Sequence, residues 1–542
     1  MTSRTRRVPV VARRTLALLA VGTVLLSGCA GGESGDASAT AAAPTDGVLR
    51  LGVLNDIGQP PDPDVYYSGN GLAITTNAYE GLVRYEAGNH DAATVVPSLA
   101  ESWEVSDDFT EYTFVLREGV TFHDGTAFDA SAVEASFQRR LDVDAGPAYM
   151  VQGVADVEEV DDHTVTVTLE QPNSAFLDYL ASPYGPRMIS PTALKEHAGD
   201  DFAQTWLSTH SAGTGPYVLS EAVVGEGYEL TWFDEYWGDL DPTFTTVELP
   251  VYTEISAMQL ELENGDLHAL LSGVPTASRQ KYLDSEALEA FALPSFQVGV
   301  MYMNPNRDLL ADADARRTLF EGIDWAALID QVTGVSSEVA QGYYPKGALP
   351  ADVDTRELVH DPAALEEWVG SLAPGTAIQI GYNAGGSDAE QMANIVAAQL
   401  QALGMTATVT SHQSSEVFGD FPEHPEDAPD VLIAPATWPD SNNAYMHGHV
   451  FWDEDGGLNH LQCSDETTTG LLDEALTTGS AETYVEAAAA AYEAGCAPVF
   501  AWSTDFMVAQ DWLEGVESSH SIAAPATLDF ATLRIDEPAA AE

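Results

Sequence analysis

Basic residues are scarce in this chain: 20 Lys and Arg stand against 85 Asp and Glu in 542 residues. Five of the 20 (Arg4, Arg6, Arg7, Arg13 and Arg14) crowd the N-terminus, and no acidic residue precedes Cys29. The remainder carries 15 basic against 85 acidic residues, a net charge of −70. A polyanion of that size is repelled by phosphate backbones and anionic lipid surfaces, which excludes nucleic acid as a partner. So many carboxylates serve first as a solvated surface that keeps the chain dispersed.

Cysteine is almost missing, with three in all. Cys29 belongs to the N-terminal segment, which leaves Cys463 and Cys496. In an oxidising compartment two thiols suggest one disulfide. Closing a loop of that length stabilises by roughly 3–4 kcal/mol in the chain-entropy picture. No metal site is expected from two isolated cysteines. Catalytic signatures are also missing. There is no Gly-rich loop ending in Lys-Ser/Thr, no His-Glu-x-x-His and no Gly-x-Ser-x-Gly. His447-Gly448-His449 is the only close histidine pair, near Trp452, Asp453 and Asp455. It could hold a transition metal and otherwise reads as a solvated loop. Asp453-Glu454-Asp455-Gly456 lacks the alternating oxygen ligands of an EF-hand. The pattern is that of a binder, with no cofactor expected and no enzyme activity.

Long apolar runs are missing after the N-terminus. Leu16 to Leu26 is too short for the ~20 residues that span a bilayer, but behind the arginines it suits the h-region of a signal peptide. It ends in Leu26-Ser27-Gly28-Cys29, which resembles a bacterial lipobox, so residues 1–28 are expected to be removed and Cys29 to be lipidated. Arg13-Arg14 leaves Sec and twin-arginine export both open. Ala30 to Asp46 is rich in Ala, Gly, Ser and Thr and has no aromatic residue, so 29–46 reads as lipidated cysteine and flexible tether. A single chain anchors only marginally; two or three acyl chains would hold the protein at the outer face of a membrane.

About 500 further residues exceed one compact core. Ile378–Tyr382 reads as a strand. Ser387 and Glu390 suggest a capping box, and Met392, Val396, Leu400 and Leu403 recur at helical spacing up to Gly404. A second strand follows at Thr406–Thr410. This is a βαβ unit with parallel strands. Strict alternation in Tyr112–Leu116 and Thr164–Leu169 predicts half-buried antiparallel strands. A mixed α/β chain with more than one sheet is expected.

From Pro97 to Arg140 the chain reads PSLAESWEVSDDFTEYTFVLREGVTFHDGTAFDASAVEASFQRR. This resembles the signature region of the family 5 extracellular solute-binding proteins, the oligopeptide, dipeptide and nickel binders. Pro61-Asp62-Pro63 and Ala78-Tyr79-Glu80-Gly81-Leu82 resemble the family's N-terminal block. Gly213-Thr214-Gly215-Pro216-Tyr217 and Tyr236-Trp237-Gly238 resemble its central block, and Asp314 to Asp324 its helix ending in Ile-Asp. Physically these blocks read as scaffold. Trp103, Tyr112, Phe114 and Phe122 suit a core, Gly119 and Gly125 suit turns, and Gly213, Gly215 and Pro216 suit a crossing between lobes.

The resemblance implies an α/β, periplasmic-binding-protein-like two-lobed clamp with an additional inserted domain. Lobe 1 would combine residues 47–91, 213–295 and 500–542 with the inserted domain 92–212, and lobe 2 would be 296–499. It further implies a monomer that closes on a small-molecule solute, peptide above all, and delivers it to an ABC permease with its ATPase subunits. Tyr66-Tyr67-Ser68-Gly69 corresponds to the loop that pairs with peptide backbones. In the family's peptide binders a Trp is followed three residues later by an Asp that takes the ligand amine. Here Asp440 follows Trp438 by two, and an alternative alignment puts Thr437 at that position, where a hydroxyl would hold an ammonium poorly. Asn443 and Trp502 complete the ligand-binding candidates. A carboxylate partner is hard to name, since Arg316 and Arg317 lie on an expected helix surface. A sugar, or a metal or metallophore held by His447 and His449, is the alternative ligand. A surface hydrolase or adhesin would need a nucleophile–base pair that the sequence does not show.

Overall fold

The computed structural model describes residues 41–69, 71–438 and 443–536. The readings at the signal segment, Cys29 and Asp440 lie outside the described residues. Among the described residues no helix is long and apolar enough to cross a membrane.

Strand β1 (Val48–Leu54) opens the fold and helix α1 (Leu72–Ala78) follows the Asp62–Gly69 loop. Next come β2 (Ala100–Val105), β3 (Glu111–Leu116), helix α2 (Ala130–Val143), β4 (Val154–Asp161) and β5 (Thr164–Leu169). These four strands form an antiparallel sheet in the order β2-β3-β5-β4. Its alternating positions bury Tyr112, Phe114, Val165 and Val167, as a period of two requires of a sheet with one wet face. The chain then returns through β6 (Tyr217–Val223), β7 (Gly227–Trp232), β8 (Thr246–Tyr252), β9 (Ala269–Leu270) and helix α3 (Thr276–Leu283).

Two long strands organise the rest: β10 (Leu288–Met303) and, near the C-terminus, β15 (Val499–Gln510). Between them lie β11 (Ser337–Val339), β12 (Ala377–Asn383), α4 (Ser387–Ala402), β13 (Thr406–His412), β14 (Val431–Thr437) and α5 (Ala444–Trp452). The large sheet has eleven strands in the order β13-β12-β14-β10-β15-β9-β1-β8-β7-β6, with β11 on β15. The antiparallel β10–β15 pair crosses from one lobe to the other. Leu288–Pro294 pairs with Gln510–Thr504, the register breaks, and pairing resumes from Val298 opposite Trp502. Both halves share the largest core, through Val298, Val300 and Val499 on one side and Leu293, Met507 and Ala509 on the other, and each also feeds a smaller core of its own. Phe506 and Val508 pack with Met258, Leu262 and Tyr282, whereas Phe500, Met301 and Met303 pack with Ile378, Ile380, Val396 and Leu400. A strand pair that serves a separate smaller core at each end, with an irregularity between them, has the layout of a hinge.

The parallel β12–α4–β13 unit forms as its sequence pattern predicts, with Ile378 opposite Ala407 and Gly404 at φ 102° beyond the helix end. The capping box does not form. The N-cap is Gly386, without a side-chain cap, and Ser387 is already the first helical residue. Arg316 is not a surface residue either. It is buried, and its guanidinium caps the carbonyls of Leu310, Ala311 and Ala494.

Gly213 and Gly215 pack inside lobe 1 against the end of α1. A Cβ at either would collide with the Asn77–Ala78 backbone, so only glycine lets the two segments approach. Beside them Glu80 accepts hydrogen bonds from Thr214 Oγ1 (2.8 Å), Tyr236 Oη (3.1 Å) and Trp237 Nε1 (2.8 Å). Burial raises the pKa of this carboxyl, and the three donors work against that rise. This one side chain ties together the Tyr79-Glu80-Gly81, Gly213-Thr214-Gly215 and Tyr236-Trp237 blocks. Cys463 and Cys496 are joined as a disulfide.

Candidate functional site

The Tyr66–Gly69 loop is held from beneath by a buried charge network. Asp62, Asp64, Arg139 and Arg140 are all enclosed. Arg139 reaches Asp62 at 2.5 Å and Asp64 at 2.6 Å, and Arg140 reaches Asp64 at 2.7 Å. The spare donors of Arg140 go to the carbonyls of Pro63, Tyr184 and Gly185. Burial works against the charge on Arg139, but Asp62 and Asp64 hold its pKa above the ordinary value. A buried ion cluster is tolerated only when its hydrogen bonds are complete, and these fix the loop to the inserted sheet's helix α2. Tyr66 faces inward at 2% exposure, where its hydroxyl accepts the Gly71 N–H. Tyr67 and Ser68 are half-buried and Gly69 is exposed. Tyr67 packs edge-on against Tyr184 at 5.1 Å.

On the opposite side of the hinge, the structure brings Thr437 and Trp502 to one level of the sheet, since Val298 is paired with both. Trp502 Nε1 donates to the Tyr344 carbonyl at 2.7 Å, and Ser503 Oγ donates to the Pro435 carbonyl at 3.0 Å. Asn443 is the N-cap of α5, accepting the Met446 N–H at 2.8 Å. Trp438 is partly buried, and its indole Nε1 has no hydrogen-bond partner among the described residues.

Thr437 stands on the wall of a cavity of ≈ 420 Å³ in lobe 2. Its walls are the carboxyl ends of the parallel strands β12 and β14, the first turn of α4, and the side chains of Tyr302, Phe418 and His460. The chain leaves β12 toward β13, away from β14. A crevice at the carboxyl ends of parallel strands, where the connections diverge, is the general ligand position of open α/β sheets. Tyr302 and His460 meet at a tilt with centroids 5.0 Å apart, and Phe418 meets His460 edge-on at 4.7 Å. Burial lowers the His460 pKa to about 4. Neither Tyr302 nor His460 was legible as a site residue. The one available signal was a tyrosine set in the apolar strand run Val300-Met301-Tyr302-Met303, where a hydroxyl needs a partner.

The two lobes touch on both sides of this region. Thr276 Oγ1 of α3 donates to Asp388 of α4 at 2.6 Å. On the inserted-sheet side the Ser174 N–H donates to the Leu476 carbonyl at 3.0 Å. His447 and His449 do not lie in a loop; both are on α5. His447 is enclosed by Tyr344, Phe451 and Trp452, and burial lowers its pKa to about 3. His449 pairs instead with Asp453 at 2.8 Å. No group of three or more His, Cys, Asp or Glu among the described residues is placed to hold a metal.

Residues 94–452 match "Bacterial extracellular solute-binding proteins, family 5 Middle". The chain is 29% identical over 420 residues to the probable D,D-dipeptide-binding periplasmic protein DdpA of Escherichia coli K12, covering 77% of this chain and 79% of that protein. It is 28% identical over 348 residues to the glutathione-binding protein GsiB of Salmonella paratyphi A, covering 64% of this chain and 65% of that one. The structure of NikA from Brucella suis in complex with Fe(III)-EDTA superposes with a TM-score of 0.78 at 22% identity, over 90% of this chain and 100% of that chain.

Proposed function

The chain belongs to family 5 of the bacterial extracellular solute-binding proteins, and we propose that it captures peptides or peptide-like solutes between its lobes and delivers them to an ABC permease. Cys29 would carry the lipid that holds it at the membrane, with residues 29–46 as the tether. The observation that carries the solute reading is the lobe-2 cavity at the carboxyl ends of β12 and β14, open beside the strand crossing and lined by Thr437. The Tyr66–Gly69 loop, fixed across the cleft by the Asp–Arg network, would offer its backbone to the solute from lobe 1. Relatives named for a D,D-dipeptide and for glutathione favour a peptide-like ligand. Closure is then driven by a solute that touches both lobes only when they meet.

Native mass spectrometry of the chain from Thr45 onward, expressed in rich medium, tests this. Bound masses that fragment into amino-acid series are expected. A single non-peptide mass would contradict the peptide reading and give the ligand class directly.

A further inference from the structure

We infer that a small cavity in lobe 1 is a carboxylate subsite, in which the Arg187 guanidinium pairs with the acid group of the solute or of a free small acid. Only the first of those two sources rests on the proposed capture of a peptide-like solute.

The cavity has a volume of ≈ 120 Å³. It is bordered by the end of α1 at Thr76 and Asn77, by Ala181, Pro183 and Arg187, and by the C-terminal stretch from Ser519 to Asp529. At about 30 Å³ for each water in the liquid, this is room for about four waters, or for a carboxylate on a short aliphatic stem.

Arg187 is the observation that points to a ligand. It lines the cavity at 6% exposure. Burial lowers its pKa to about 10, so it is charged at neutral pH. Nη2 donates to the Ser182 carbonyl at 2.8 Å, and Nε has no partner among the described residues. Nη1 makes no hydrogen bond among them either, and unlike Nε it is not sealed in protein. It lies over Gly81, another wall residue, where a Cβ would stand 3.3 Å from it. Glycine keeps that nitrogen uncovered. No carboxylate among the described residues comes within ion-pair distance; the charges that bear on the guanidinium are Arg140, which opposes its own, and Glu80, which favours it from farther off. A buried charge without a counter-ion is costly. A carboxylate in the cavity would match it, in the pairing that a guanidinium makes best.

The acids on the same wall are already engaged. Asp529 pairs with Arg84 at 3.6 Å, and Glu80 takes the donors of Thr214, Tyr236 and Trp237. Burial raises the pKa of both carboxyls, which weakens their repulsion of an incoming anion. Ser521, also on the wall, adds a donor: its Oγ accepts the Ala523 N–H at 3.3 Å and donates to no acceptor among the described residues. The cavity is close to the Tyr66–Gly69 loop. Tyr67 packs on Tyr184, and the chain from Tyr184 to Arg187 spans at most about 11 Å, the length of a short peptide.

The test is calorimetric titration of the mature chain, stripped of retained solute, with propionate and propionamide. Propionate is expected to bind; propionamide, which lacks the charge, is not. Arg187→Met should weaken propionate roughly tenfold or more, as loss of a hydrogen bond to a charged group does, while the protein still melts cooperatively. Ser521→Ala, which removes no charge, should weaken propionate severalfold and carries the test if Arg187→Met does not fold. Propionate that binds the wild type no better than propionamide, or that binds both variants as well as the wild type, would overturn the inference. L-alanyl-L-alanine and its C-terminal amide tell the two sources apart. If Arg187→Met weakens the dipeptide and not the amide, the acid is the solute's own. If dipeptide and amide bind equally and propionate still depends on Arg187, the subsite serves a free acid and the solute reading stands. If neither dipeptide binds and propionate still does, the subsite stands and the peptide reading falls.

Discussion

Two clusters of buried polar groups, one beneath the Tyr66–Gly69 loop and one beside Thr437, differ in one respect. Beneath the Tyr66–Gly69 loop the charges are answered: Asp62 and Asp64 pair with the guanidiniums of Arg139 and Arg140, and the leftover donors of Arg140 find carbonyls. In lobe 2 the Tyr302 hydroxyl and His460 Nδ1 lack partners among the described residues, and the first turn of α4 lacks a side-chain cap. A saturated network rigidifies and leaves nothing for a ligand, whereas an unsaturated one is uphill until something binds. The lobe-1 network therefore reads as scaffold beneath the Tyr66–Gly69 loop, and the lobe-2 cavity as the receptor.

Breaking the saturated side should cost most. Asp64→Ala breaks two of the three buried ion pairs, leaving Arg139 with Asp62 and Arg140 with carbonyls alone, and a loss of about 3–5 kcal/mol is expected in denaturant melts. A loss below about 1 kcal/mol, the scale of an exposed pair, would show that the network is not what holds the loop. Next is Cys463→Ser, which opens a disulfide of sequence separation 33; a loss of roughly 3–4 kcal/mol is expected, read as a lower melting temperature that reductant does not lower further.

The third prediction concerns pH. Burial keeps His447 neutral down to about pH 3 and His460 down to about pH 4, whereas the unfolded chain protonates both near 6.5. The unfolded state thus binds more protons below that value, so stability is full above it and falls on acidification, at a limit of roughly 1.4 kcal/mol per pH unit for each histidine. Asp178 acts oppositely: burial raises its pKa from 3.8 to about 7. Its contribution is full below the unfolded value and lost as pH rises through the folded one. Replacing His447 with leucine should flatten the acid limb of a melting-temperature profile, and an unchanged limb would exclude it as a source. The smallest effect on folding is expected from Tyr302→Phe. Removing a hydroxyl that closes no hydrogen bond of good geometry among the described residues should leave stability within about 0.5 kcal/mol. A loss of about 2 kcal/mol in the solute-free protein, the cost of breaking a satisfied buried bond, would mean that the hydroxyl serves the fold.

How far the sequence reached follows the same division. The strands at 112–116 and 164–169 and the unit at 378–410 were legible because their periodicity is local. The family was legible because its blocks are long and ordered. Those blocks were readable as scaffold, but the reason for them was not: Glu80 unites three segments through bonds whose partners are remote in sequence. Arg316 looked like a surface residue because the segment around Ala494, whose carbonyl it caps along with those of Leu310 and Ala311, is remote in sequence. Ser387 looked like a cap, but the cap position falls one residue earlier, at Gly386. The histidines of α5 looked like a loop because glycine separates them, yet apolar neighbours keep the helix continuous. Tyr302 and His460 meet only through the fold, so the unsaturated side of the comparison could not be read from spacing.

The most direct test is a crystal structure of the protein purified from rich medium with its solute retained. Solute density is predicted to enter the lobe-2 cavity beside Thr437 and to extend toward the Tyr66–Gly69 loop. Solute density elsewhere in the protein, with the lobe-2 cavity free of it, would contradict the account.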